Sequence, residues 1–197
     1  MYSNKSNVAD IPILLFENKK EWTKWLAKNH KTSKGLWLRI AKKDAGIKSI
    51  TYQEALETAL CYGWIDSIRK KYDDKTFIQR FTIRGKRSIW SKINREKVET
   101  LIKKKQMKPA GLEAIELAKK NGRWDAAYDS YSTAEIPDDF RLELNKKPKA
   151  KKFFETLNSQ NRYAIIFRIH NAKRIETRER RIKQFITMLE RNEKIYQ

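Results

Sequence analysis

Cys61-Tyr62-Gly63-Trp64-Ile65-Asp66-Ser67-Ile68-Arg69-Lys70-Lys71-Tyr72-Asp73-Asp74 is the stretch whose reading decides the fold. It joins the end of one periodicity to the start of another. Just upstream, Thr51-Tyr52-Gln53-Glu54 has the spacing of a capping box. There a hydroxyl and a carboxylate reciprocally satisfy free N–H groups at a helix start. Ala55, Leu56, Ala59 and Leu60 then form the apolar face of a helix that runs to Tyr62. Gly63 suits the left-handed position that ends such helices. From Trp64 the period drops to two. Trp64–Lys71 and Thr76–Arg84 read as strands, and Tyr72-Asp73-Asp74-Lys75 as the turn of a hairpin.

Working outward, Asn18 caps an expected helix over Lys19–Asn29, with Trp22, Trp25 and Leu26 on one face. Leu36–Lys42 alternates as a half-buried strand: Leu36, Leu38 and Ile40 on one face, Trp37, Arg39 and Ala41 on the other. From Ser91 the pattern is helical: Asn94–Lys104, Pro109–Lys120 closed by Asn121-Gly122, a short helix after Pro137 through Leu144, then Lys149–Leu157, Ser159–Asn171 and Thr177–Lys194. The expected fold class is α+β, a small antiparallel sheet with helices in the N-terminal half and an all-helical C-terminal half. The expected organisation is a flexible N-terminus over 1–14, an α+β domain over 15–91 and a helical domain over 92–197 packed on it.

Hydrophobic residues make up 40% of the 197 and aromatics 11%, enough to build a core. The formal net charge is +21, from 45 Lys and Arg against 24 Asp and Glu. Residues 141–197 alone carry 16 basic and 6 acidic side chains, so the excess is denser there. That balance favours anionic partners, an anionic small molecule or nucleic acid, and equally suits a lysine-rich solvated surface. A single cysteine excludes an internal disulfide and fits a reducing compartment. The N-terminus has no signal-type apolar run and no stretch is long enough to span a membrane, so the expected location is cytoplasmic.

Cys61 sits in the last turn of its helix, where the helix dipole opposes a thiolate, and reads as an inert buried thiol. Asp66 stands in a strand, where aspartate is disfavoured. With the Leu36, Phe77 and Phe81 face turned to the core, the opposite face offers Trp37, Arg39, Arg80 and Arg84. Asp66 on that face would orient an arginine. Such a surface stacks a ring and pairs a phosphate or carboxylate, and it equally makes a structural Asp–Arg pair. Arg84-Gly85-Lys86-Arg87-Ser88-Ile89-Trp90-Ser91 is a basic connector whose backbone and arginines suit an anion, but it lacks Walker spacing. At the final helix, Arg174, Thr177, Arg178 and Arg181 would face nucleic acid if the last two helices were a helix-turn-helix reader. His30 and His170 are isolated, so neither a metal nor a cofactor is expected. Asp66 as a general acid or base is the one enzymatic alternative.

Four phrases stand out beyond periodicity. They are Ala59-Leu60-Cys61-Tyr62-Gly63-Trp64-Ile65-Asp66, Gln79-Arg80-Phe81-Thr82 with Arg84 and Ser88-Ile89-Trp90-Ser91-Lys92-Ile93-Asn94, Asn121-Gly122-Arg123-Trp124-Asp125, and Ala172-Lys173-Arg174-Ile175-Glu176-Thr177-Arg178. Together they resemble the YdeI/OmpD-associated family of bacterial proteins, also labelled bacteriocin-protection, over roughly residues 15–195. Ile83 stands where the family usually has proline, and Lys105-Gln106-Met107 where a Gly-Arg-Met run is usual. The resemblance implies a stress role in tolerating bacteriocins or cationic peptides. It also implies that Trp64, Asp66, Arg80, Arg84, Ser88, Trp90 and Asn94 form one site.

Overall fold

The computed structural model describes residues 11–129 and 134–197. The first ten residues of the expected loose N-terminus lie outside the described residues. The described residues form four strands and eight helices: β1 (Ile13–Leu15), α1 (Lys19–Asn29), β2 (Leu36–Ala41), α2 (Tyr52–Cys61), β3 (Trp64–Lys71), β4 (Thr76–Ile83), α3 (Lys92–Lys103), α4 (Pro109–Lys120), α5 (Asp138–Asn145), α6 (Pro148–Thr156), α7 (Ser159–His170) and α8 (Ile175–Glu190). The fold is α+β with a mostly helical C-terminal half. Two compact units divide it. One holds the described residues up to Ser88 together with Asn94–Asp125; the other holds Ile89–Ile93 and Ala126–Gln197.

In the first unit the sheet order is β1-β2-β4-β3. β2–β4 and β4–β3 are antiparallel, whereas β1 joins β2 in parallel, so the sheet is mixed. Three residues following Pro12 gave no alternation to read, and their pairing partner lies a helix away. α1 and α2 cover the face that carries Leu36, Leu38 and Phe81, all fully buried. Trp22 anchors this packing. Its ring meets Phe81 edge-on at 5.7 Å, and its indole N–H donates to the Ala55 carbonyl at 3.0 Å. Apolar burial on this scale is the main favourable contribution to folding. Asn18 caps α1, and the Thr51–Glu54 box closes the start of α2 in both directions.

α4 packs on the end of α2 with almost no separation. A Cβ on Gly63, whose φ is +71°, would lie 2.7 Å from the Ala110 carbonyl oxygen. Only glycine satisfies both the left-handed backbone and this approach.

The second unit closes a core of Phe140, Leu144, Phe154, Ile165, Phe185 and Leu189 with their neighbours. Asn161 is a buried polar residue in it with both ends satisfied. Its amide donates to the Tyr196 carbonyl at 3.1 Å, and its oxygen accepts from the Ile195 and Tyr196 N–H groups. A buried polar side chain is tolerated on those terms.

Candidate functional site

Register places the expected site residues on different sides of the sheet. Cα partners in adjacent strands share a face. Trp37 pairs with Arg80, Arg39 with Ile78, and Lys70 with Ile78. These residues occupy the face that α1 and α2 leave uncovered. Ile13 and Leu15 extend it at the β1 edge, 46% and 37% exposed. Asp66 pairs with Phe81 and therefore lies on the helix-covered face, not with the arginines. The reason is a register shift between Asp66 and Arg69, which puts Asp66 on one face and Lys70 on the other although four residues separate them. The Asp66 carboxylate accepts from the Tyr52 hydroxyl at 2.7 Å and from the Gln79 amide at 3.4 Å. The arginine expected to face it is replaced by these two neutral donors.

Trp64 is also a core residue. It is fully buried, with its ring edge-on to Trp25 at 5.7 Å and its indole N–H donating to the His30 carbonyl at 3.0 Å. An apolar surround and a spent donor leave it nothing to offer a ligand.

On the uncovered face, Arg39 is committed. Its guanidinium pairs with Asp73 at 2.8 Å, donates to the Thr76 hydroxyl at 3.0 Å and lies 4.6 Å over the Tyr72 ring. The Thr76 hydroxyl, the turn N–H groups and Arg39 hold the Asp73 carboxyl below its ordinary range. This is a closed hairpin clasp. Trp37 is half-buried, with the Lys70 ammonium 5.1 Å from its ring centre. Arg80, its register partner, has a buried Nε with no hydrogen-bond partner among the described residues. Trp37 on β2, Arg80 on β4 and Lys70 on β3 thus place a flat ring beside two cations on one face of the sheet.

The connector is organised by its own turn. Ser88 accepts from the Gly85 N–H at 3.0 Å and returns its N–H to the Gly85 carbonyl at 2.9 Å. Arg84 donates its backbone N–H to Gly63. Asn121 and Arg123 reach the Lys86 and Arg87 carbonyls, both at 3.3 Å. Sequence reading missed that pairing, because 35 and 36 residues separate the partners. Asn94 lies in α3 within the first unit. Trp90 is buried in the second, where its carbonyl accepts from the Tyr128 N–H.

At the final helix two of the four expected readers are spent. Arg178 forks onto Asp139 and donates to the Ile169 carbonyl. Arg181 donates to the Arg168 carbonyl. Arg174 is exposed at the N-cap and Thr177 half-buried. Base reading by Arg178 would have to break its fork with Asp139. Cys61 is buried, and desolvation raises its thiol above the ordinary range. No group of His, Cys, Asp and Glu able to hold a metal occurs among the described residues. No helix among them is long and apolar enough to cross a membrane.

Comparison with known proteins adds two family matches. Residues 133–192 match the model described as Bacteriocin-protection, YdeI or OmpD-Associated, so that likeness is carried by the second unit. Residues 14–114 match the model described as Domain of unknown function (DUF8412). No curated protein and no solved structure matches the chain. The second match spans more than half of the 197 residues, so the chain belongs to the DUF8412 family, with a likeness to the YdeI/OmpD-associated model over residues 133–192.

Proposed function

We propose that the protein is a bacteriocin-protection or stress factor of the cytoplasm that works by binding an anion bearing a flat ring on the uncovered sheet face. The observation that carries this reading is the Trp37–Arg80 pair. An aromatic ring and a guanidinium stand in register on adjacent strands, Lys70 lies over the ring, and the buried Nε of Arg80 has no partner among the described residues. A buried unsatisfied donor costs free energy unless something accepts from it. A stacked ring with its charge on the Arg80 guanidinium would use the ring and the cation together, and a small shift of the side chain would let the anion accept from Nε as well. Neither Arg39 nor Asp66 belongs to that contact: one is closed on Asp73, the other faces the covered side. The cytoplasmic element rests on the single, buried, unpaired cysteine.

The test is calorimetric titration with nucleoside monophosphates, benzoate and inorganic phosphate. Ring-bearing anions are expected to bind more tightly than phosphate. Trp37→Ala and Arg80→Ala are each expected to weaken them about tenfold or more, the effect of losing one stacking or charge-assisted contact. Binding of every anion that is unchanged in both variants removes the reading.

A further inference from the structure

We infer that the helical unit contains a separate binding site, a cleft for a small amphiphilic anion with an apolar chain or ring system and one terminal acid group. The cleft lies among α5, α6 and α7 and has a volume of about 820 Å³, within the range of roughly 300–1,000 Å³ usual for small-molecule sites. Leu144, Phe154 and Ile166 are buried side chains that line it. Arg141, Lys151 and Arg162 line it as well. The Tyr163 hydroxyl donates to the Asp129 carbonyl at 3.2 Å, which leaves chiefly its ring for an occupant.

The two halves of this lining select for different parts of one molecule. An apolar floor gains by releasing water to a hydrocarbon and gives a fully hydrated ion nothing. The three cations answer an acid group. Arg141 is fixed in place, with Nη2 donating to the Ile136 carbonyl at 2.9 Å and Nη1 3.3 Å from Asp138. Lys151 and Arg162 have no ion pair among the described residues, and Glu155 is the one carboxylate in the described lining. Three cations against the one lining carboxylate leave positive charge in excess in the described lining, even with Arg141 paired to Asp138. A neutral hydrocarbon would leave the cations unanswered and an amphiphilic cation would be repelled. The site is independent of the sheet face, since every lining residue belongs to the second unit.

The experiment is calorimetric titration of the full chain with laurate below its micellar concentration. Acetate, dodecyltrimethylammonium and phosphatidylglycerol vesicles are the comparison probes. Laurate is expected to bind one to one, with acetate and the cationic amphiphile each weaker by about 100-fold or more, for want of the chain or of the charge. Lys151→Gln with Arg162→Gln, both at exposed positions, is expected to weaken laurate about tenfold or more with an unchanged circular-dichroism spectrum. Arg80→Ala is expected to leave laurate binding unaltered, which separates this site from the sheet face. The proposal is overturned by acetate binding as well as laurate, by laurate affinity indifferent to the double variant, by attachment to vesicles without binding of free laurate, or by no binding at millimolar concentration. Should the double variant unfold, Arg162→Glu alone decides: an affinity equal to wild type overturns the site.

Discussion

Arg178 grips Asp139 with two prongs, Nε on Oδ2 at 2.5 Å and Nη2 on Oδ1 at 2.8 Å, while its third nitrogen donates to the Ile169 carbonyl at 2.9 Å. One side chain on α8 thereby joins the first turn of α5 to the last turn of α7. Each end receives the charge its dipole favours, a carboxylate at the N-terminus and a guanidinium at the C-terminus. The Arg178 hydrogen bond and charge hold the Asp139 carboxyl below its ordinary value, against a desolvation effect that opposes it. Arg178→Met should cost about 1–2 kcal/mol by urea unfolding, a charge-assisted pair discounted for its partial exposure. A carboxyl lowered in the folded state contributes stability that is complete above its ordinary value and is lost as pH falls through its folded value. The difference between wild type and Asp139→Asn should therefore narrow below about pH 4, measured by midpoint against pH. A constant gap down to pH 2 would refute the assignment.

Two tryptophans of one sheet, Trp37 on β2 and Trp64 on β3, should respond in opposite ways. Trp64 is fully buried and donates to His30, whereas Trp37 is half-buried on the uncovered face. Trp64→Ala should destabilise by about 3–5 kcal/mol, the loss for a large core ring. Trp37→Ala should change stability by about 1 kcal/mol or less while removing binding of ring-bearing anions. Equal destabilisation in thermal melts would mean that Trp37 is a packing residue, and the uncovered face would then lose its function.

What could be read from sequence was local. Asn18, the Thr51–Glu54 box and Gly63 each declare themselves within four residues, and the structure uses all three as read. The alternation of β2 located its two faces correctly because nothing interrupts it. β3 misled because its bulge lies between Asp66 and Arg69, and a register shift leaves no mark in a period-two count. The Arg178–Asp139 fork, the Asn121–Lys86 contact and the parallel strand β1 escaped for a related reason. Their partners are far apart along the chain, and one sequence carries no record of which distant residues meet.

Cys61 should be inert in the native state. It is 7% exposed and its thiol is raised by desolvation, ahead of the opposing influence of Lys19 and Lys108. Thiolate is the attacking form, so burial suppresses both access and ionisation. Iodoacetamide at pH 8 should modify native protein about 100-fold more slowly than protein in guanidinium, because reaction waits on opening of the α2–α4 contact. Comparable rates would show that the contact opens freely, or that the thiol is activated after all.

Lys105 should be the cheapest position at which to stabilise the protein. It ends α3 in the left-handed region, with φ +56°. Its N–H returns to the Ile102 carbonyl at 2.9 Å, and the Gln106 N–H to the Leu101 carbonyl at 3.0 Å. That is the two-bond helix terminus for which glycine is the usual residue. α4 ends in the same way at Gly122, φ +70°, and α8 at Asn192, φ +57°. Of the three, only Lys105 has neither glycine's lack of a Cβ nor asparagine's tolerance of that region. Lys105→Gly should raise stability by about 0.5–1 kcal/mol, the relief of left-handed strain less the added freedom of the unfolded chain. Lys105→Ala should not, since it keeps the Cβ and gives up only the charge. Paired urea unfolding curves decide between strain and charge: equal gains in both variants would show that the repulsion of neighbouring Lys103 and Lys104, not the backbone, sets the cost.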